Sequence, residues 1–555
     1  MTDTANSHSD VLVVGAGPTG LTMACELARH GVTPRIIDKA PLPSDKSKAF
    51  GIHARTLELF ENMGIVDNFL RLGNISNGFD MYDHGKTLAS VVFDSLESKF
   101  PFFLILAQSD TEKILHEHLL STYGIEVERE KELVSIEEKD GGITAGVRLK
   151  DGSLENIECS YVAGCDGAHS TTRHILNLEF KGAPYPFYWL LADLDLEWDY
   201  PLHHISVFIH PTGVTAHFPL YEDRGRLMFE VPNASIQEDM PTPTIEDVRR
   251  LMNERQINYK SVTNPNWLAY FKIHHRMVNQ YGKGRVVLSG DAAHIHSPLG
   301  GQGMNTGIQD AYNLAWKLGL VLGGRSPDSL LASYNEERHR AGKEVVGFTD
   351  FATKMVGLHN PVLSALRNKI VGVISHIDAV QEKVLTTLSQ IEINYRESPI
   401  VKERWYQPDA VEGFHGYSHD LAAGERFKDY VLASLDGKGV RQLYDLLRNP
   451  DHNLLLFTGA DPEDMEFDEL RAVYNAVNEN FAGSINVHLI VGSKGLPHDF
   501  EDMKSIWRDV ESVMHKDFGA AKASLYLIRP DGYVGFRNQP ASLSDLSEYL
   551  ASIFV

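Results

Sequence analysis

Val11-Leu12-Val13-Val14-Gly15-Ala16-Gly17-Pro18-Thr19-Gly20 decides the fold. Four apolar, mostly β-branched residues fill a parallel strand buried on both faces, and they run directly into G-x-G-x-x-G. Leu21, Ala24, Cys25, Leu27 and Ala28 then recur at helical spacing to His30, and Gly31 stands where a C-terminal cap is expected. A second strand, Pro34-Arg35-Ile36-Ile37, ends at Asp38, 18 residues past Gly20. This βαβ unit has the chemistry of a dinucleotide site. Gly15 permits the tight turn, Gly17 lets backbone approach a pyrophosphate, and Gly20 allows close helix packing. The helix start, with Pro18 in its first turn and N–H groups free from Thr19 on, offers donors to phosphate, and Asp38 accepts from ribose hydroxyls.

Further along, Tyr161-Val162-Ala163-Gly164-Cys165-Asp166-Gly167 and Val286-Val287-Leu288-Ser289-Gly290-Asp291 each end an apolar strand in a carboxylate, at the sheet edge where open α/β folds bind ligands. The loop Pro298 to Asn305 follows, and a long helix is expected from about Thr306. Thr56 to Gly64 reads as a helix closed by glycine, and Gln108 opens another with Ser109 or Asp110 as its N-cap. Between 184 and 273 the pattern changes to alternating strands with turns at Pro211-Thr212-Gly213 and Glu222 to Gly225, read as an inserted antiparallel sheet. Its His210, His217 and Phe218 are candidates for a substrate pocket, and Phe208, Phe218 and Phe229 for its apolar cover.

With 555 residues the chain has room for three or four domains at roughly 150 each. A formal net charge of −23 argues against nucleic acid and anionic membrane as partners. Cys25, Cys159 and Cys165 form no metal-ligand spacing and no disulfide framework. Asp291, His294 and His296 lie close together but in a loop beside the dinucleotide unit, without a further ligand, so no metal is expected. The polar start of the chain lacks secretory-signal character, and the expected location is cytoplasmic. Arg35, Lys39, Lys46 and Lys48 outnumber Asp38 and Asp45, a local excess that suits an anionic cofactor and equally a solvated loop.

Taken in order, the Gly15 to Gly20 fingerprint, Cys165-Asp166-Gly167, and Gly290-Asp291 with the Pro298 to Asn305 loop resemble the FAD-dependent aromatic hydroxylases (class A flavoprotein monooxygenases), in particular the phenol hydroxylase branch. The resemblance implies FAD as cofactor, NAD(P)H and O2 as co-substrates, and hydroxylation of a small phenolic aromatic substrate through a flavin C4a-hydroperoxide. It implies cofactor contacts from Gly15, Ala16, Gly17, Pro18, Thr19, Gly20, Asp38, Lys39 and Lys48. Gln108, Gly290 and Asp291 would reach the linker and ribityl chain, and Asp166 both nucleotides. Pro298, Gly300, Gly301, Gln302, Gly303, Met304 and Asn305 would lie along the isoalloxazine, with Pro298 in the environment of the reacting oxygen. Epoxidation or Baeyer–Villiger oxidation of a polycyclic natural product, or a non-catalytic nucleotide-binding protein, are the alternatives. Two departures stand out: Lys48 replaces an arginine common in the family, and Phe50 occupies the position of the aspartate proposed as base in phenol hydroxylase.

The expected architecture is α/β: a Rossmann-type FAD-binding domain (1–183 and 274–345), the inserted antiparallel sheet as substrate domain (184–273), a helical linker (346–414) and a C-terminal thioredoxin-like domain (415–555). The last rests on a β-α-β-α-β-β-α pattern: strands at 454–457, 486–491, 525–528 and 533–536, and helices at about 462–481 (N-cap Asp461, then Pro462), 500–518 and 542–554. No cysteine follows Cys165, so thiol chemistry is excluded there and a packing role, as in a homodimer, is expected.

Overall fold

The computed structural model describes residues 9–44, 49–139, 141–221, 224–232, 242–298, 300–357, 377–405, 420–435, 439–459, 464–492, 500 and 503–555. Asp45, Lys46, Lys48, Glu222, Asp223, Asp461 and Pro462, on which expectations rest, lie outside the described residues.

The strand Ser9–Val14 lies between Pro34–Asp38 and Leu154–Gly164 and runs parallel to both. Val127–Arg129 and Val286–Leu288 extend the parallel sheet on either side. Val11, Leu12 and Val13 are fully buried, as expected for a central strand covered on both faces. The helix Pro18–Arg29 follows at once and packs along the helix Gln302–Leu322. That second helix starts four residues before the expected Thr306. Gly301, at φ +66°, turns the chain into it as N-cap, a left-handed conformation that glycine adopts without penalty. The helix at Gln108–Tyr123 likewise starts earlier than expected: Ala107 is its N-cap and no side chain caps it.

A second sheet forms a roof over this unit. Its strand order is 294–295, 261–278, 180–197, 224–232, 213–221, 204–210, 78–83, 86–92. The expected insertion supplies the five central strands, but the hairpin Gly78–Val92 completes one edge and His294-Ile295 the other. The sheet is also not purely antiparallel, because His204–Ile209 pairs parallel to Gly78–Asp83. Period-two alternation divides its side chains. Trp189, Ala216, Phe218 and Met228 join the core shared with the nucleotide unit. Leu190, Phe208, Leu227 and Phe229 face away, into a separate core with Trp198 and the helix Ile245–Glu254. Of the three phenylalanines expected as cover, only Phe218 therefore faces inward.

A third sheet occupies the C-terminal region, with His452–Phe457 parallel to Ile485–Val491 and antiparallel to Ser524–Ile528, which pairs antiparallel with Val534–Gln539. The single helix expected over 500–518 is instead a strand, Ile506–Arg508, then a short helix, Val513–Asp517. Ile506 and Trp507 favour a pleated strand, here paired on both sides, and the Asp509 carboxylate accepts from the Met514 and His515 N–H groups to start the helix. This region docks through Asp531, whose carboxylate accepts from Asn313 (3.0 Å) and the Trp316 indole (3.1 Å) on the helix Gln302–Leu322.

Candidate active site and cofactor groove

The first turn after the central strand opens a groove of about 220 Å³ lined by Gly15, Gly17, Asp38, Lys39, Asp166 and Gly167. Two glycines shape it differently. Gly15 sits at φ +103°, and a Cβ there would fall 2.4 Å from the Cys165 carbonyl oxygen, so the turn requires glycine for the fold itself. A Cβ on Gly17 would meet nothing within 4 Å: the space beside it belongs to whatever occupies the groove. Gly17 is also the N-cap of the helix Pro18–Arg29 and no side chain caps it, so first-turn N–H groups and the helix dipole remain for an anion. A dinucleotide pyrophosphate fits this donor set.

Asp38 closes the groove. Its carboxylate accepts the Ala16 N–H at 2.7 Å and the Ala40 N–H at 2.8 Å, which fixes it at the strand end with lone pairs left for ribose hydroxyls. Lys39 is exposed at the rim. Arg35, counted in the local basic excess, is committed elsewhere: it pairs with Glu128 and Glu155 at 2.8 and 2.6 Å. Asp166 accepts from the Thr172 N–H (2.9 Å) and hydroxyl (3.0 Å) and from Ser170, and so holds its own turn. Gln108 bridges Ala49 and Glu112 at 3.1 and 2.8 Å. Asp291 is exposed in the turn Gly290–Ala292, and Asp310 anchors that turn by accepting the Gly290 N–H at 3.0 Å. His294 donates to the same Asp310 oxygen at 2.7 Å, and among the described residues no group of side chains could hold a metal ion.

Between roof and nucleotide unit lies a second cavity of about 170 Å³, almost wholly apolar, with walls from Phe103, Trp189, Phe218, Met228, Pro298 and Phe348. Gly300 also lines it, which places the loop before helix Gln302–Leu322 at the cavity edge. The loop side chains serve the fold. Asn305 donates to the Gly51 and Gly301 carbonyls, each at 2.8 Å, and accepts the His53 N–H at 3.0 Å. Gln302 donates to the Leu388 carbonyl at 2.8 Å. Met304 packs against the shared core and Gly303 approaches His296. What this segment can offer a planar ring is its backbone.

The two histidine candidates stand away from the cavity. His217 points to the opposite face of its strand, edge-on to Trp198 at 4.3 Å between ring centres, and burial pushes its pKa down to about 3. His210 accepts from Thr212 beyond the cavity, 5.7 Å from the His84 ring. Phe218 does line the cavity. Phe50 meets Phe218 edge-to-face at 4.4 Å, and the Arg226 guanidinium lies over it at 4.7 Å, paired with Asp193 at 2.6 and 2.7 Å.

Sequence reasoning passed over His53. It lies between the short strand Gly51-Ile52 and the helix Ala54–Asn62, and its ring lines the cavity. Its Nε2 is 2.7 Å from the Gly300 carbonyl. A lone histidine with no partner at motif spacing gives no signal in sequence.

Comparison with known proteins agrees with this geometry. A family model described as FAD binding domain matches residues 8–349. The chain is 31% identical to a 6-methylpretetramide 4-monooxygenase of Streptomyces rimosus, over 98% of this chain and 93% of the relative. It is 29% identical to a pentachlorophenol 4-monooxygenase of Sphingobium chlorophenolicum, over 96% and 94%. Among solved structures, the anhydrotetracycline hydroxylase OxyS of Streptomyces rimosus superimposes with a TM-score of 0.75 at 28% identity, covering 99% of each chain. A groove built for a dinucleotide, an apolar chamber beside it and kinship along nearly the whole length lead to one assignment: the chain belongs to the FAD-dependent aromatic monooxygenases.

Proposed function

We propose that the protein hydroxylates a phenolic aromatic compound, taking electrons from NAD(P)H and one oxygen atom from O2. The observation that carries this is the apolar cavity walled by Trp189, Phe218 and Met228 and bounded by Pro298 and Gly300. Bound FAD, once reduced, supplies the chemistry that activates O2. In this reading Gly15 to Gly20 and Asp38 hold its adenosine half, Lys39 and Asp166 the groove rim, and Asp291 with Gln108 the linker. Pro298 and the backbone from Gly300 to Asn305 would lie along the ring system, and first-turn N–H groups of the helix Gln302–Leu322 would oppose the negative charge of the reduced cofactor. The roof excludes water from the reacting oxygen.

The tail from 415 is read as thioredoxin-like on the strength of its strand directions, with a packing role in a cytoplasmic homodimer. The other domain limits given above belong to the same reading, with the hairpin 78–92 assigned to the roof and the strand Lys402–Trp405, expected in the helical linker, to the C-terminal sheet, where it pairs parallel with Val534–Gln539. The test is substrate-stimulated NAD(P)H oxidation by purified yellow holoenzyme across phenols, resorcinols, hydroxybenzoates and polycyclic phenols, with the product structure determined. A hydroxylated product at near-stoichiometric NAD(P)H supports the reading. NAD(P)H consumption that yields only hydrogen peroxide, or a ring-expanded or epoxidised product, overturns it.

A further inference from the structure

We infer that His53 is the substrate anchor: its Nδ1 accepts a hydrogen bond from the hydroxyl of an uncharged hydroxyarene, and the cavity rejects aromatic substrates that carry a carboxylate. The inference rests on the hydroxylase reading above and adds the substrate class and the residue that selects it.

The chemistry of the walls comes first. Among the described residues lining the cavity, His53 alone is titratable; the others are apolar or aromatic side chains and glycine. Behind the wall, Arg226 lies over Phe50 and is neutralised by its two hydrogen bonds to Asp193. A carboxylate placed in this cavity would be desolvated without a counter-ion, which is prohibitive on the scale of binding energies. A hydroxyl needs only one acceptor.

His53 is prepared to be that acceptor. A carbonyl oxygen can only accept, so the 2.7 Å contact with the Gly300 oxygen puts the proton of the neutral ring on Nε2 and leaves Nδ1 with a lone pair. Burial holds the imidazole pKa down, at about 4, so the ring stays neutral at working pH. The ring cannot swing freely. Phe103 packs edge-on at 4.7 Å, and Asn305 takes the His53 backbone N–H. Through Gly300 the same ring touches the loop at the cavity edge, so a hydroxyl bound to His53 is referenced to that loop. Nearby, the buried Trp189 indole N–H has no hydrogen-bond partner.

The test compares binding of 2-naphthol, 2-methoxynaphthalene and 6-hydroxy-2-naphthoate to the oxidised holoenzyme, followed by perturbation of the flavin absorbance at pH 7.5, a condition chosen for the assay. We expect 2-naphthol to bind at least about tenfold more tightly than either analogue, since a good hydrogen bond to a buried group is worth about 1.4 kcal/mol or more. His53→Leu should bind 2-naphthol and 2-methoxynaphthalene alike, and His53→Gln, which keeps an acceptor, should restore part of the preference. Equal binding of the naphthoate, no binding of any of the three, or an unchanged preference in His53→Leu would each overturn the inference. The wild-type comparison stands even if a variant folds poorly. Because it reads binding without turnover, the expected preferences combined with no hydroxylated product would count against the hydroxylase reading alone.

Discussion

Arg529 and Glu337 form a two-pronged ion pair, 2.6 and 2.9 Å, with both side chains sealed from solvent. Arg529 comes from the turn that follows the strand Ser524–Ile528 of the C-terminal sheet, and Glu337 from the helix Ala332–Val356. Lys317 reaches the same carboxylate at 2.8 Å, and Asp531 completes the cluster beside Arg529. Two cations and two carboxylates therefore neutralise one another where the C-terminal region meets the helices Gln302–Leu322 and Ala332–Val356.

Removing one member strands the rest. Glu337→Ala should destabilise the protein by about 3–5 kcal/mol, because two buried cations, Lys317 and Arg529, would be left with Asp531 as the one remaining carboxylate of the cluster. Denaturant unfolding of the holoenzyme measures it. A loss below about 1 kcal/mol would show that the cluster relaxes into water.

Acid should act on the same pair and on the buried histidines. The two cations hold the Glu337 carboxyl far below its ordinary pKa. Its contribution is present above the unfolded value of about 4.3 and is lost as pH falls from there. His53, His217, His296, His452 and His488 are pushed down to about 3–4 by burial. The unfolded chain protonates each near pH 6.5, so stability declines as pH falls below about 6.5 and keeps falling toward 4. The melting temperature should thus drop steeply between pH 7 and 5, and a flat profile there would contradict the buried, neutral assignment.

The two groove glycines should separate folding from cofactor binding. Gly15→Val places a side chain against the Cys165 carbonyl and should lower expression and melting temperature of the apoprotein. The Cβ of Gly17→Val meets nothing within 4 Å, so the apoprotein should melt like wild type while flavin content collapses. The ratio of flavin absorbance to protein, read beside the apoprotein melt, decides it.

Asp38→Ala should weaken FAD by about ten- to a hundredfold, the loss of about 1.4–2.8 kcal/mol expected for hydrogen bonds to a charged group. It also removes the acceptor of the Ala16 and Ala40 N–H groups, so Asp38→Asn, which keeps one acceptor, should fall between. Fluorescence titration of apoprotein with FAD measures both.

How far the chain could be read depended on whether the deciding contacts were local. The βαβ unit was legible because Val11 to Asp38 carries strand, turn, helix and acid in one short run. The roof was legible as strands but not as a surface. Alternation could not say that Phe218 faces the cavity while His217 faces Trp198, since a one-residue shift of register exchanges the faces. The pairing of His204–Ile209 with Gly78–Asp83 joins segments far apart in sequence, and no local pattern announces it. The start of helix Gln302–Leu322 was placed late because Gln302 to Asn305 carries a single apolar side chain, Met304, and no periodic pattern, and what begins the helix is the backbone turn at Gly301.

That distant pairing sets the unit in which specificity can be exchanged between relatives. A chimaera that transplants only 180–278 leaves the strand His204–His210 beside a foreign hairpin, with the donor's Ile205 and Val207 facing the recipient's counterparts of Phe79 and Met81 across the chamber wall. Such a graft mixes the walls of two cavities and presents a mismatched strand pairing. The portable module is discontinuous: 78–92 and 180–278 must travel together.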